Sequence, residues 1–118
     1  MDDTITCFDF VSSAAEETAK HFPVPLKIDS EKCGSLKECC RDIDSLAREF
    51  GGFSYRAAVD TDTLAVTVGL ECMEISLDGG INVLSGLIKR ALSLEVSISD
   101  RGNLLLRFVF PGIWEPLK

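Results

Sequence analysis

The sequence predicts an α+β fold: a two-layer sandwich in which an antiparallel sheet of four to five strands carries two helices on one face, with a further N-terminal helix. Apolar residues recur at helical spacing in two segments, and each segment precedes stretches in which apolar and polar residues alternate. The two halves also match, since Ile43 aligns with Leu84 and Phe53 with Leu94. A pseudo-repeated α-β-β unit used twice is too short for a solenoid, so its apolar faces should pack on each other.

The 118-residue chain has the length and apolar content of one domain. We divide it into an N-terminal extension (1–34), a first α-β-β unit (35–77) and a second α-β-β unit (78–118). In the extension, capping-box spacing in the segment SAAE predicts a helix over about 13–21. Pro23 would end this helix, and residues 24–28 are expected to form a short edge strand.

Each unit is predicted to begin with a helix. In the first unit, Ser35 and Glu38 have capping-box spacing, and an apolar stripe runs over Leu36–Phe50. In the second unit, Asp78-Gly79-Gly80 leads into a stripe over Ile81–Ala91. These stripes predict two helices with one buried face each.

A hairpin is predicted after each helix. The alternating strands lie at 53–59, 64–70, 94–98 and 104–110. After the second of these strands the apolar positions shift from even to odd numbers, which predicts a bulge or a break within Gly69–Cys72. Residues 71–77 are then either a bulged continuation or a separate strand.

The segment REFGGFSYR, at 48–56, combines two glycines with aromatic and basic residues. A phosphate-binding loop usually precedes a helix, whereas this segment follows one. Its adjacent glycines also differ from the RNA-recognition signature, which lies in a basic sheet. We therefore interpret Gly51 as a left-handed helix cap and Gly52 as part of the turn into the next strand.

The charge and cysteine content limit the partners and the compartment. Twelve Lys and Arg against nineteen Asp and Glu give a net charge of −7, so neither nucleic acid nor a membrane surface is an expected partner. No apolar run is long enough for a membrane span, and the acidic start differs from a secretory signal. Five cysteines are an odd number, and Cys39 and Cys40 are adjacent, which favours free thiols and a cytoplasmic location.

The sequence predicts no catalytic centre, no metal site and no cofactor. His21 is the only imidazole and lies near a helix end. Cys33, Cys39 and Cys40 lack the paired spacing of zinc ligands. The acidic residues of 60–63 are typical of a turn and lack the later ligands of a calcium loop.

The apolar tail contains the candidate binding residues Phe110, Ile113 and Trp114. Aromatic residues dominate interface hot spots, so we expect these side chains to contact a protein partner or a second copy of the chain. The alternative is that the tail packs over its own sheet and completes the core.

We expect a non-catalytic protein-interaction or regulatory module that self-associates. The alternative is a small-molecule-binding protein or an enzyme whose carboxylate or cysteine site is assembled from distant positions. With a third strand at Met73–Leu77, the order of helices and strands resembles that of small acidic secretion chaperones, which would imply binding of a partner protein. The carboxyl-terminal helix of those chaperones has no counterpart up to Leu117.

Overall fold

The computed structural model describes residues 6–22, 26–73 and 81–116. The helices of this part of the chain are α1 (Cys7–His21), α2 (Ser30–Glu49) and α3 (Ile81–Arg90). Its strands are β1 (Leu26–Ile28), β2 (Gly52–Val59), β3 (Val66–Cys72), β4 (Ser93–Ile98), β5 (Leu104–Phe110) and β6 (Trp114–Pro116). The predicted α+β class, with an antiparallel sheet and an N-terminal helix, is confirmed.

The main sheet has the strand order β2-β3-β5-β4, and every neighbouring pair is antiparallel. Each hairpin follows a helix, and β3 and β5 pair at the centre of the sheet. This is the arrangement expected of an α-β-β unit used twice. A second, small sheet pairs β1 with β6.

One face of the main sheet forms the core with the helices. Both α1 and α2 pack over β2 and β3, while α3 packs against α2. Alternate residues of the central strands point into this layer. The largest fully buried side chains are Phe50, Phe108, Ile43, Leu46, Leu70, Leu87 and Leu106.

The first helix begins at Cys7, not near Ser13 as predicted. Thr6 caps it: the Asp9 N–H donates to Thr6 Oγ1 (3.3 Å), and the Thr6 N–H donates to Asp9 Oδ2 (2.9 Å). Burial of Cys7 and Val11 stabilises the added turns. The spacing that predicted a cap at Ser13 also occurs inside helices, so it could not locate this start.

The second helix also begins earlier than predicted, at Ser30. Asp29 Oδ1 accepts hydrogen bonds from the N–H groups of Glu31 (3.1 Å) and Lys32 (3.2 Å). The Asp29 N–H donates to the carbonyl of Ile113 (2.8 Å), which fixes the helix start beside the small sheet. Ser35, the predicted cap, therefore lies within the helix.

The predicted irregularity lies on a different strand. β3 pairs without interruption with β5 from Val66 to Cys72, so the bulge or break predicted within Gly69–Cys72 is wrong. The shift in register falls instead on β2, between Gly52 and Ser54. The strand expected at 73–77 and the Asp78-Gly79-Gly80 segment lie outside the described residues, apart from Met73.

The glycine pair has the predicted local role. Gly51 has a φ of +65°, the left-handed conformation of a helix cap. Gly52 lies so close to α2 that an added Cβ would be 2.8 Å from the Cα of Ala47 and 2.8 Å from Leu70 Cδ1. The absence of both side chains lets the chain pass from α2 directly into β2.

We predict that Gly52→Ala lowers the free energy of unfolding by about 1–3 kcal/mol, because its methyl group would overlap backbone atoms of α2. Gly34→Ala is the control: Gly34 lies within α2, an added Cβ has no neighbour within 4 Å, and alanine should stabilise the helix by about 1 kcal/mol. Urea unfolding of both variants measures this, and a Gly52→Ala protein as stable as wild type would contradict it.

Candidate interaction surface

The three predicted binding residues do not form one surface. Phe110 and Ile113 are only 2% and 3% exposed and belong to the core, whereas Trp114 is half-buried. Ile113 and Trp114 border an apolar groove of about 410 Å³ between α1 and the small sheet. Phe110 borders a separate depression of about 110 Å³ beside Cys39 and Arg90.

The groove beside Trp114 is lined mainly by one face of α1. Trp114 pairs with Ile28 across the small sheet. Lys37 Nζ lies 5.4 Å from the ring centroid of Phe8, which also lines the groove. The further apolar lining residues are Val11, Ala15, Ala19 and Cys33.

A second apolar surface is larger and more exposed. It extends over α3 and β4, which are joined only by Ala91 and Leu92. We call it the α3–β4 surface. Its exposed apolar side chains are Ile81, Ile88, Leu92, Val96 and Ile98.

The strand part of this surface lies on the same face as the core. Val96 pairs with Leu106 and Ile98 with Leu104, and directly paired residues of antiparallel strands share a face. Leu106 is fully buried, yet Val96 is 55% and Ile98 68% exposed. The two long helices lie over β2 and β3, so this end of the helix layer leaves β4 uncovered.

The helix part of the surface is the outer side of α3. Leu87 is buried and Arg90 forms a charge-assisted hydrogen bond to Asp42 of α2, which raises the pKa of the guanidinium. These two contacts fix α3 on α2. Ile81 and Ile88, seven residues apart, lie on one face and are exposed.

The free edge of β4 adds backbone groups to this surface. Among the described strands β4 is at one end of the main sheet, so half of its N–H and C=O groups have no strand partner. Glu95 lies on the opposite face and accepts a hydrogen bond from Arg107 Nη1 (2.8 Å). The surface thus combines an apolar face with a strand edge that can pair.

The polar groups inside the protein are paired with one another. Asp44 Oδ1 accepts hydrogen bonds from the Tyr55 hydroxyl (2.5 Å) and the Cys7 N–H (2.9 Å). Burial, followed by the bond to Asp44, raises the pKa of Tyr55. These hydrogen bonds join α1, α2 and β2. Tyr55 also lines a cavity of about 400 Å³ together with Phe10, Ala47 and Phe53.

Three of the buried thiols, Cys7, Cys39 and Cys72, have raised pKa values that disfavour nucleophilic chemistry. A hydrogen bond with Cys40 and burial raise the pKa of Cys7, and burial raises those of Cys39 and Cys72. Within residues 6–22, 26–73 and 81–116 no group of three or more His, Cys, Asp or Glu side chains could hold a metal ion. Nor does that part of the chain contain a helix long and apolar enough to cross a membrane.

Comparison of the chain with known protein families, curated proteins and solved structures gives no match. The chemistry of the surfaces is therefore the guide to function. Sequence reasoning identified the groove residue Trp114 but missed the α3–β4 surface. The stripe over Ile81–Ala91 was expected to form one buried face, but Ile81 and Ile88 are exposed, because α3 packs mainly against α2.

Because Tyr55 is the only tyrosine, its titration can be followed by ultraviolet absorbance. Its folded pKa is raised, so its stabilising effect is complete below the ordinary value of about 10 and is lost as the pH rises through the folded pKa. We predict that the free energy of unfolding falls more steeply above about pH 10 in wild type than in Tyr55→Phe. Thiol ionisation affects both proteins alike. A tyrosine that ionises near its ordinary pKa in the folded state would contradict this.

Proposed function

We propose that the protein is a non-catalytic interaction module that forms a two-fold dimer through the α3–β4 surface. The observation that carries this proposal is that five of the eight large exposed apolar side chains of the described residues lie on α3, β4 and their junction. Contiguous exposed apolar side chains are a common mark of protein interfaces. A second copy of the chain is the occupant that best fits the surface.

The edge strand supports a symmetric partner. Two copies of β4 can pair antiparallel about a two-fold axis, which makes the interface self-complementary. With Val96 at the axis, Leu94 of one copy faces Ile98 of the other, and Glu95 faces Ser97. A register centred on Glu95 would instead place two carboxylates opposite each other, so charge favours the pairing centred on Val96.

The same axis would bring the two α3 helices together. Ile81 and Ile88 would then be shielded by the second copy, along with the exposed sides of Val96 and Ile98. Full burial of one such side chain contributes about 1.5–3 kcal/mol, although association also has an entropic cost. The apolar residues of both copies are thus sufficient for a stable contact.

A reducing, cytoplasmic setting is part of the proposal. All five cysteines are free thiols, and four of them are buried. Free buried thiols are typical of proteins that fold in reducing compartments. The raised thiol pKa values also support a role in binding instead of cysteine catalysis.

The dimer is tested by light scattering after size exclusion over a wide concentration range. Ile98→Glu should give a monomer, because it would place a carboxylate within the apolar contact. Met73→Glu is the matched control, since Met73 is 67% exposed, close to the 68% of Ile98, but lies beside Gly51 at the other side of the sheet.

Trp114→Ala is a second control, and it should remain dimeric because Trp114 lies beside α1 and outside the α3–β4 surface. A wild-type protein that stays monomeric at high concentration would contradict the dimer. If Trp114→Ala were the only variant that dissociates the dimer, the interface would lie at the groove beside Trp114 and not at the α3–β4 surface.

A second candidate function is the binding of a small apolar molecule in the groove beside Trp114. Its volume of about 410 Å³ lies within the roughly 300–1,000 Å³ of ligand sites, and its lining is mainly apolar. Trp114 is the only tryptophan, so titration with a fatty acid should shift its emission in a saturable way. Saturation that persists unchanged in Ala15→Glu, which places a charge in the groove, would rule this site out.

A further inference from the structure

The face of the main sheet opposite the helices carries small side chains around two arginines. Arg56 of β2 and Arg107 of β5 both pair with Gly69 of β3. Because neighbouring strands are about 4.8 Å apart, the two arginine Cα atoms are about 10 Å apart, with no side chain between them. Both guanidinium groups can therefore reach one point above Gly69.

A trough follows this row of residues. Two adjoining cavities, of about 330 and 520 Å³, share Arg56, Leu105 and Arg107 as lining residues. We call their combined surface the outer trough. Its remaining walls near the centre are formed by Ala58, Thr67 and Gly69.

Gly69 lies at the floor of the outer trough and is buried beneath the neighbouring side chains. An added Cβ would make only ordinary contacts, 3.8 Å from Arg56 Cβ and 4.0 Å from Leu105 Cδ1, so the fold has room for a side chain there. Glycine weakens the interior of a strand and often marks the close approach of a ligand or another backbone. The packing of the sheet itself does not account for this glycine.

The outer trough is lined by the three arginines Arg56, Arg101 and Arg107 and by two carboxylates, Glu71 and Asp100, so its positive charge is only partly neutralised. Arg56 forms no ion pair with any residue in the described ranges. The pair between Arg107 and Glu95 is solvent-exposed on both sides and is therefore weak. It also shows that Arg107 already binds a carboxylate in this position.

Glu71 does not neutralise Arg56. It is only 4% exposed, and its carboxylate accepts hydrogen bonds from Ser99 Oγ (2.7 Å), Asn103 Nδ2 (3.0 Å) and Arg101 Nη2 (3.0 Å). These donors belong to the β4–β5 turn, so Glu71 fixes that turn against β3. The carboxylate already has its partners.

We propose that the outer trough binds an acidic segment of a partner protein, with a carboxylate of the segment held by Arg56 and Arg107 above Gly69. Arginine matches carboxylates with two parallel hydrogen bonds. The alternate residues Thr67, Gly69 and Glu71 of β3 line the outer trough and span about 13 Å, the length of about four residues of extended chain. The net charge of −7 repels polyanions of every kind, which favours a short segment with few carboxylates over a long nucleic acid.

This inference goes beyond the proposed dimer and does not depend on it, because the outer trough and the α3–β4 apolar face lie on opposite faces of the sheet. Either the dimer or the peptide site could therefore be contradicted by experiment while the other is confirmed. Ile88→Glu, on the outer side of α3, should disrupt the dimer but bind an acidic peptide as wild type does, because Ile88 does not line the outer trough.

The probe is a fluorescein-labelled hexaglutamate peptide, followed by fluorescence anisotropy at low salt. Arg56→Gln and Arg107→Gln should each weaken binding roughly tenfold, the loss of one charge-assisted interaction. Gly69→Val, which fills the trough floor, should also weaken it. Glu95→Gln should strengthen it by releasing Arg107. Thermal unfolding of each variant confirms that it is folded.

Arg41→Gln is the control, since Arg41 is exposed on α2 and the substitution removes the same charge. It should leave the affinity unchanged. If Arg41→Gln and Arg56→Gln lowered the affinity for the peptide equally, the proposal would be overturned, because the binding would then be nonspecific. The proposal would also be overturned if the wild-type protein did not bind the peptide measurably. Tighter binding of a single-stranded oligonucleotide, abolished by Arg56→Gln and Arg107→Gln, would overturn it as well.

Discussion

The carboxylate of Asp44 joins three elements of the fold. Asp44 lies on α2, and it accepts one hydrogen bond from the first residue of α1 and another from Tyr55 of β2. The Asp44 carboxylate is partly buried, so loss of either donor would leave an acceptor without its partner, which is costly. This interaction fixes the two long helices over β2, and the ring of Phe10 packs on Tyr55, 5.6 Å between centroids, beside it.

The position of these helices decides which surfaces remain for binding. Because α1 and α2 pack over β2 and β3, only the short helix α3 lies at the β4 end of the helix layer among the described helices. Leu87 and Arg90 attach it to α2, and its outer apolar row stays exposed together with that of β4. The α3–β4 surface therefore exists because the helices cover β2 and β3 but leave β4 exposed. The outer trough exists because the opposite face of the main sheet carries small residues.

Periodicity correctly predicted the residues that share a face in β3, β4 and β5 and in the apolar stripe of α2. It was wrong for Ile81 and Ile88, which belong to the predicted buried stripe of α3 but are exposed, and for Phe53, which lies at the register shift of β2. The glycine cap at Gly51 was also predictable, because its conformation depends on local chain geometry. The helix starts were not, since Ser13 and Ser35 have the same local spacing as true caps. The alternation along β4 could not show whether Val96 and Ile98 are buried, because their burial depends on helices that are distant in the sequence. Pairing of the tail residue Trp114 with Ile28 is equally non-local.

The two proposed surfaces would act together. An antiparallel β4–β4 contact has its two-fold axis perpendicular to the sheet, so both copies would present their outer troughs on the same side. A single partner that carries two short acidic segments, one for each trough, would bind the second by an intramolecular step, at high effective concentration. Dimerisation would then raise the affinity for such a partner without changing any contact within a trough. Two weak carboxylate sites would in this way discriminate between partners with one acidic segment and partners with two.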